Sequence, residues 1–373
     1  MGKAAALTWA QVSAWRMQQQ FLEKRAGRED MLEVATRLGG LHAQVMSSAE
    51  LMLAARVDGL STDRIQAAIW REHTLIKAWA YRGTLHLIPV YIYPALFSAL
   101  ATLRHFRKPS WYKYFKISAN ELDALMEAVR AVLGGTGITR EALANAAAAH
   151  AGNPELREKL LSGWGMLLKP SSFRGDLAFG ESIGRNVTFV NPAAWMGAWE
   201  AVEPQTALTA VARRFLSAYG PATVDEFARW VGLEPRDAKA AFKALGEEVA
   251  EVDVEGWTAW APTETLDALG RAHGSDRVRL LPMFDMYTLA VARHAARWIL
   301  PQPLLDKVYR PQGWISAVVI RGGRMAGTWD TAETRGGIRL HIDWFDPPDV
   351  SLRAGVAEEA EHLAAFWGKP VTV

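Results

Sequence analysis

The sequence of 373 residues contains no cysteine, which excludes disulfides, thiolate nucleophiles, iron-sulfur clusters and cysteine-type zinc sites. It also lacks any apolar run near the roughly 18 residues that a membrane span needs. The N-terminus is too polar for a secretory signal, since Thr8 and Gln11 follow soon after Lys3. No two histidines lie two, three or four positions apart, so a compact metal chelate is not expected. We therefore expect a cytoplasmic protein that uses neither a metal nor a cofactor and does not bind a membrane.

The formal net charge of +2 conceals an uneven distribution along the chain. Residues 1–119 carry 16 Lys and Arg against 8 Asp and Glu, residues 120–292 carry 16 against 23, and residues 293–342 carry 8 against 3. Two basic blocks thus flank an acidic middle, and they would grip a polyanion if they converge in space. The alternative is patchy surface charge without a function.

The pattern at 206–262 predicts a helix, a turn, a second helix and a two-stranded wing. Thr223 and Glu226 have the spacing of a capping box, and Gly232 ends the helix that follows. Glu255-Gly256 then separates two β-rich runs, which is typical of a hairpin. A similar order recurs at 136–192, where 154–168 is the predicted second helix, and in a looser form at 62–88.

From about Arg277 the sequence changes to short strands, including one predicted over 314–320. Gly322-Gly323 lies between two such runs and predicts a tight hairpin, because both turn positions need positive φ. An amphipathic helix is expected over 351–367. The predicted fold is α+β and mainly helical, with winged-helix regions at 1–120, 121–200 and 201–270 and a β-rich domain with a hairpin at 271–373.

Winged helices usually bind nucleic acid, and the basic blocks supply candidate contacts. Between Glu72 and Glu121 the sequence has no acid, and its cations alternate with aromatic residues that suit stacking on bases. A hairpin with arginines near its tip can also enter a groove. The candidate DNA-binding residues are Arg82, Arg104, Arg107, Lys108, Lys113, Arg310, Arg321 and Arg324. For the segment between Glu72 and Glu121, the alternative is that the aromatic residues are core residues of a loop and the cations are solvated. For the hairpin, the alternative is an ordinary hairpin that carries arginines at its tip without contacting DNA.

A second candidate site follows Gly39-Gly40, where His42 and Gln44 lie two residues apart. A helix would separate their side chains by about 200°, whereas an irregular turn could aim both into one cavity. Together they offer a proton acceptor and an amide that can hold a water molecule. Such a pattern more commonly has a structural role, in which the two residues cap a helix or are partly buried with their hydrogen bonds satisfied.

Several segments, in order along nearly the whole chain, resemble the AlkZ-like winged-helix DNA glycosylases, bacterial enzymes that remove alkylated bases. The segments are Leu7–Trp9 with Ala14–Arg16, Leu38–Ser48, Ala49–Gly59, Trp79–Leu87, Val187–Val190, Leu281–Tyr287 and Arg310–Trp314. The resemblance implies a C-shaped array of tandem winged helices with a β-rich C-terminal part. It also implies an enzyme that acts on double-stranded DNA carrying alkylated bases, and we expect it to be monomeric and nucleoid-associated.

The family's catalytic motif, glutamine, an apolar residue, then glutamine or aspartate, falls on His42, Ala43 and Gln44. Gln44 matches, whereas His42 departs from the commoner glutamine. Similar members with histidine are associated with bulky N7-guanine adducts of genotoxic natural products, so the resemblance implies DNA repair or self-resistance. Its implied catalytic residues are His42, which accepts a proton or orients water, and Gln44, which orients water.

Alkylation at N7 of guanine puts positive charge on the purine, which makes the base a good leaving group. The resemblance therefore implies a monofunctional hydrolysis without a Schiff base, in which water attacks C1′ of an oxocarbenium-like sugar. If neutral His42 is the base, activity should decline below the ordinary histidine pKa of about 6.5. A transcriptional regulator that uses winged helices without chemistry is the main alternative, and a protein-binding module is the third.

Overall fold

The computed structural model describes residues 5–290 and 296–373, and it has the mixed α+β fold that the sequence predicts. The α-helices are α1 Trp9–Gln19, α2 Met31–Arg37, α3 Met46–Ala54, α4 Thr62–Trp70, α5 Tyr93–Leu100, α6 Pro109–Phe115, α7 Ala119–Val132, α8 Arg140–His150, α9 Glu155–Leu161, α10 Lys169–Phe173, α11 Ala193–Met196, α12 Pro204–Tyr219, α13 Val224–Val231, α14 Pro235–Leu245, α15 Leu266–Gly270, α16 Met286–Ala290, α17 Ala296–Ile299, α18 Leu305–Val308 and α19 Val350–Trp367.

The strands are shorter than most of the helices and concentrate in the last third of the chain. They are β1 Ala5–Leu7, β2 Leu41–His42, β3 Leu75–Trp79, β4 Leu85–Pro89, β5 Ile138–Thr139, β6 Ala178–Ile183, β7 Asn186–Val190, β8 Val249–Val254, β9 Trp257–Pro262, β10 Val278–Leu281, β11 Val318–Arg321, β12 Arg324–Thr334, β13 Gly337–Trp344 and β14 Val371–Thr372.

The chain forms two compact units. The first unit consists of Met1–Ile65, Ala212–Phe227 and Phe242–Val373. One of its sheets has the strand order β1-β8-β9, in which β1 is parallel to β8, and another has the order β10-β11-β12-β13-β14. Both faces of the second of these sheets are apolar, since the consecutive residues Val318 and Val319 point to opposite faces and belong to different buried clusters.

A buried ion cluster joins α19 to the rest of the first unit. Both oxygens of the Glu359 carboxylate accept hydrogen bonds from Arg25, at 2.6 and 2.7 Å, and Arg279 donates to the same carboxylate at 3.1 Å. Burial lowers the pKa of Arg279 to about 10, although Glu359 opposes the shift. Losing one partner would leave a buried charge uncompensated, so this cluster holds the C-terminal helix in place.

The second unit consists of Gln66–Val211 and Ala228–Ala241. Its strands pair in the order β4-β3-β6-β7-β5. Trp79 packs edge-on against Phe179 with 4.7 Å between ring centroids, and Phe179 lies 5.1 Å from Phe189. This aromatic cluster forms the buried side of the sheet, since Phe189 is fully buried.

Several predicted elements are present. The capping box before α13 is confirmed, because Thr223 N donates to Glu226 at 2.7 Å and Glu226 N donates to the Thr223 hydroxyl at 3.2 Å. Strands β8 and β9 meet at Glu255-Gly256, where φ is 50° and 87°. The winged-helix interpretation and the four-part division at 120, 200 and 270 stay predictions.

Two predicted elements were wrong in extent. The helix expected over 154–168 ends at Leu161, and a 3₁₀ segment follows at Gly163–Leu168. Gly165 has φ of 76°, which an α-helix does not accommodate. The strand expected over 314–320 begins only at Val318, because Pro311–Gly313 forms a 3₁₀ turn and Trp314 donates its N–H back to Pro311.

Candidate active site and DNA-binding residues

The segment that carries His42 is shaped by the two glycines before it. After α2, Gly39 and Gly40 adopt φ of 73° and 106°, a region that strongly favours glycine. Their N–H groups donate to Thr36 O at 3.0 Å and to Ala35 O at 2.9 Å. The chain therefore turns sharply out of the helix and enters the short strand β2.

Residues far along the sequence hold this turn from outside. Tyr219, at the end of α12, donates its hydroxyl to Leu38 O at 2.7 Å, and both residues are buried. Arg214 donates to Thr36 O at 3.1 Å. Because these bonds satisfy carbonyls at the C-terminal end of α2, the turn before the motif is fixed in position.

The two motif residues have different environments. His42 ends β2 and is 4% exposed, whereas Gln44 is exposed in a bend that precedes α3. Of the two geometries that the spacing allows, the non-helical one is therefore confirmed. The arrangement offers a shielded imidazole beside an amide that water can reach, which suits the handling of one water molecule.

Phe284 forms one wall of the imidazole site. Its ring centroid lies 4.9 Å from that of His42, and Trp314 contacts the same phenyl ring edge-on at 5.1 Å. Phe284 is 8% exposed and has φ of 59°, which is uncommon for a bulky residue. Its N–H donates to Ile315 O at 3.3 Å, so surrounding structure maintains this conformation.

The next residue explains how the strained backbone is held. Asp285 accepts two hydrogen bonds from Arg56, at 2.7 and 2.8 Å, and a third from Tyr287 N at 2.8 Å. Asp285 thus caps the start of α16 through Tyr287 N and also pairs with Arg56, a partner that the sequence did not predict. An arginine surrounded by apolar residues near the end of a helix was the available signal, since a fully buried arginine needs a carboxylate.

Asp58 has a more peripheral position. Its side chain is 65% exposed and lies 3.8 Å from both Arg25 and His362. Pairs of this kind at the surface contribute little to stability. Asp58 therefore has a minor structural role.

The basic N-terminal block divides into paired and unpaired cations. Arg107 forms an ion pair with Asp123 at 2.7 Å, and Lys108 pairs with Glu234 at 2.7 Å. Arg82 donates a hydrogen bond to the backbone carbonyl of Trp230. Of the candidate DNA-binding cations in this block, Arg104 and Lys113 are exposed and form no ion pair within the described ranges, so these two are available to phosphates.

The aromatic residues among these cations also divide. Phe106 is buried and lies 6.2 Å from Phe173, as the core interpretation expects. Trp111 and Phe115 pack on each other at 4.5 Å. Tyr114 is 80% exposed, so it fits the stacking interpretation.

The predicted hairpin at Gly322-Gly323 is present, but its interpretation as a projecting finger was wrong. The two glycines have φ of 54° and 80°, as a tight turn requires. Gly323 is buried and accepts a hydrogen bond from the Tyr287 hydroxyl at 2.8 Å. A Cβ at Gly323 would lie 2.1 Å from the Ser13 hydroxyl oxygen, so the tip packs against the protein itself.

The arginines of that hairpin have protein partners. Arg321 pairs with Asp349 at 2.6 Å and with Asp276 at 2.7 Å. The Arg324 guanidinium lies 5.3 Å from the centre of the Trp298 ring. Arg310 remains exposed, just before the turn that leads to Trp314.

The exposed hairpin is the next one along the chain, formed by β12 and β13. Strands β12 and β13 continue their pairing to Thr334 and Gly337, and the residues around this end are exposed, including Arg335 and Arg339. This extension was not predicted, because Asp330–Thr334 lacks large apolar residues. The strand-like alternation of residues before Asp330 continues into that segment, and this continuation was the available signal.

Within residues 5–290 and 296–373, no three His, Asp or Glu side chains cluster as metal ligands would. None of the helices there combines the length and apolar composition that crossing a bilayer requires.

Comparisons with known proteins agree with one another. Residues 35–366 match the family described as DNA glycosylase AlkZ-like. The chain is 36% identical over 367 residues to a Streptomyces sahachiroi protein named Interstrand DNA cross-link repair glycosylase, with 97% of each chain covered. The solved structure of Streptomyces sahachiroi DNA glycosylase AlkZ is similar with a TM-score of 0.89 and 34% identity, covering 99% of this chain and 100% of that one.

Proposed function

Because the chain belongs to the AlkZ-like DNA glycosylase family, we propose that it hydrolyses the N-glycosidic bond of alkylated purines in double-stranded DNA. Bulky N7-guanine adducts are its proposed substrate class, in repair or in resistance to a genotoxin. The Streptomyces relative is named for interstrand cross-link repair, which supports a large lesion. The family is one of enzymes, which disfavours the alternative of a transcriptional regulator without chemistry.

The chemistry needs little from the protein because the lesion supplies the driving force. A purine alkylated at N7 is cationic and leaves as a neutral base when the bond to C1′ breaks. The remaining sugar has oxocarbenium character, and water adds to C1′ while it loses a proton. An acid that protonates the leaving group is therefore unnecessary.

We assign the water to Gln44 and its proton to His42. The exposed Gln44 amide can accept from and donate to a water molecule that enters from solvent. The shielded His42 imidazole, in contact with Phe284, is suited to accept the proton or to fix the orientation of the water. Each such contribution is worth roughly 10²-fold to 10⁴-fold in rate.

The observation that carries the proposal is the placement of His42 and Gln44. The glycine turn presents them outside a helix, and Tyr219 and Arg214 fix that turn. A pair with only a capping role would not need an exposed amide beside a buried imidazole.

We propose that the exposed cations contact the phosphates. Arg104, Lys113 and Arg310 are exposed, as is the end of the β12–β13 hairpin with Arg335 and Arg339. Neutralising several phosphates releases counterions, so binding to undamaged duplex should be weak and sensitive to salt. Arg82, Arg107, Lys108, Arg321 and Arg324 already contact protein groups and are the less favoured contacts.

The test is release of the modified base from a duplex that contains N7-methylguanine or a bulky N7-alkylguanine, with the abasic site as the second product. His42→Ala and Gln44→Ala should each lower the single-turnover rate by about 100-fold or more. The exposed residues His150 and Gln18 provide matched controls as His150→Ala and Gln18→Ala. Absence of release from both duplexes contradicts the enzyme assignment, and undiminished release in both motif variants contradicts the site assignment.

A further inference from the structure

Helix α6, Pro109–Phe115, is a surface feature that the proposed chemistry does not use. The helix has no buried residue, although four of its seven side chains are aromatic. It is held at its ends instead, since Phe106 before it and Ile117 after it are buried, and Ile117 N donates to Tyr112 O at 3.2 Å. Aromatic side chains that the core does not use are typical of an interaction surface.

The four aromatic side chains of α6 form one connected group. The ring centroids of Trp111 and Phe115 lie 4.5 Å apart, and Tyr114 meets Phe115 edge-on at 4.8 Å. Tyr112 packs edge-on against Trp111 at 6.0 Å. Trp111, Tyr112 and Phe115 are half-buried, whereas Tyr114 is 80% exposed and presents its ring to solvent. Because the rings restrain one another, little side-chain entropy is lost when a ligand binds to Tyr114.

The charge around α6 is positive, and the acids that reach it do not balance it. The sequence has no Asp or Glu over residues 73–120. Asp123 approaches from α7 and pairs with Arg107 at 2.7 Å. Glu234 approaches from the residues before α14 and pairs with Lys108 at 2.7 Å. The exposed cations here that form no ion pair within the described residues are Arg104, Lys113 and Lys116.

This combination of rings and cations favours one class of partner. Interfaces between proteins are depleted of lysine, whereas surfaces that bind nucleic acid combine cations for the phosphates with aromatic rings for the bases. The chain belongs to a family of DNA glycosylases, which favours DNA over an anionic membrane.

The exposed ring of Tyr114 also favours unpaired DNA over a duplex. An aromatic ring can stack only on a base whose face is open, and in a duplex each base is covered by its neighbours on both sides. Cations contact the phosphates of either form. The aromatic part of α6 therefore fits unpaired nucleotides.

We propose that α6 binds single-stranded DNA, with the Tyr114 ring stacked on an unpaired base and with Lys113 and Lys116 beside the flanking phosphates. This binding goes beyond the proposed function, because it needs neither a lesion nor the motif of His42 and Gln44. It holds the protein at DNA whose strands are partly separated, whereas the exposed cations alone bind any duplex.

The first arm of the test removes the exposed ring. Fluorescence anisotropy compares binding of a single-stranded thymidine oligomer of about 16 nucleotides with binding of an undamaged duplex of the same length. Tyr114→Ala should weaken binding of the single strand by about tenfold, the loss expected for one stacked base, and should weaken duplex binding by less than about twofold. Tyr114→Phe keeps the ring and should bind both as the unaltered protein does. Tyr91→Ala is the matched control, since Tyr91 is 70% exposed in the same unit but lies outside α6.

The second arm locates the contact directly. The protein is irradiated in complex with a thymidine oligomer in which one base is replaced by 5-iodouracil, and the attached peptide is identified by mass spectrometry. The attachment site should be Tyr114. His42→Ala should bind the oligomer and attach to it as the unaltered protein does, because the motif takes no part in this contact.

Three outcomes overturn the inference. The first is single-strand binding that is unchanged in Tyr114→Ala or that falls there by the same factor as duplex binding. The second is attachment of the oligomer only to residues outside α6. The third is binding to phosphatidylserine vesicles that is tighter than binding to the oligomer and is lost in Tyr114→Ala, since α6 then serves a membrane.

Failure of this inference is distinguishable from failure of the proposed function. A protein that binds the thymidine oligomer through Tyr114 but releases no modified base contradicts the proposed function alone. A protein that releases the modified base but does not bind the oligomer contradicts the role of α6 alone.

Discussion

Arg56 and Asp285 form a two-point ion pair in which neither side chain has any exposure to solvent. Arg56 also donates to Met52 O at 3.0 Å, near the end of α3. Asp285 immediately follows Phe284, whose ring contacts His42. The pair therefore connects the helix after the motif to the residue that forms the wall of the imidazole site.

Removing one member of this pair should strongly destabilise the folded protein. Asp285→Ala leaves the Arg56 guanidinium buried without its carboxylate, and we expect the free energy of unfolding to fall by about 3–5 kcal/mol. Urea unfolding followed by tryptophan fluorescence measures the change. The double variant Arg56→Met with Asp285→Leu should recover part of the loss, because an apolar pair of similar volume carries no uncompensated charge. A double variant less stable than Asp285→Ala would contradict this account.

Local features of the fold were predictable because they depend on residues close in sequence. The Thr223 and Glu226 capping box and the Gly322-Gly323 turn are examples, since cap bonds and positive φ involve only near neighbours. The role of the Gly322-Gly323 hairpin was not predictable. Its environment depends on Tyr287, and the Arg321 partners lie 45 and 28 residues away.

The candidate site shows the same division. The resemblance to a known family located the His42 and Gln44 motif. Its non-helical conformation could be predicted from Gly39 and Gly40, which precede it and have positive φ. The wall at Phe284 and the buried Arg56 could not be inferred, because ring contacts and ion pairs across more than 200 residues are set by tertiary packing. Charge patterning identified cations but not which of them had acidic partners.

The turn at Gly323 should be intolerant of any side chain. Gly323→Ala adds a Cβ within 2.1 Å of Ser13 Oγ and imposes φ of 80° on alanine, so we expect the free energy of unfolding to fall by at least about 2 kcal/mol. Gly336→Ala is the matched control at the exposed hairpin, since nothing lies within 4 Å of its added Cβ. Equal stability of the two variants in thermal unfolding would argue against the packed tip.

DNA affinity should separate exposed cations from paired ones. Arg104→Ala and Lys113→Ala should each weaken binding to undamaged duplex and reduce the slope of log affinity against log salt by about 1. Arg107→Ala should change the slope less, because Arg107 is already paired with Asp123. Fluorescence anisotropy titrations at several salt concentrations provide the measurement. A larger slope change for Arg107→Ala than for Lys113→Ala would contradict this ranking.

The start of α7 should confer dependence on acid pH. The Ser118 backbone N–H, the Ser118 hydroxyl and Lys159 all stabilise the Glu121 carboxylate and lower its pKa from 4.5 to about 2. A depressed carboxylate pKa stabilises the folded state above about pH 4.5, and this contribution is lost as the pH falls towards 2. Glu121→Gln should therefore cause a small loss of stability at pH 7 and a flatter decline between these values.

Denaturant unfolding at a series of pH values measures that contribution. Glu181→Gln is the control, since Glu181 is an exposed carboxylate in the same unit. It should follow the unaltered protein throughout. An identical acid decline in Glu121→Gln and in the unaltered protein would contradict the role of the cap.

The attachment of α19 through Glu359 also determines when the motif-bearing unit can form during synthesis. Its partners Arg25 and Arg279 leave the ribosome long before Glu359 does. Strand β1 likewise cannot pair until β8 has been synthesised. The first unit therefore cannot finish folding until α19 has been synthesised, whereas most of the second unit, Gln66–Val211, is one continuous stretch that can fold earlier. A nascent chain arrested before α19 emerges would carry the complete His42 and Gln44 motif without the buried ion cluster, so the motif is synthesised well before the unit that carries it can be completed.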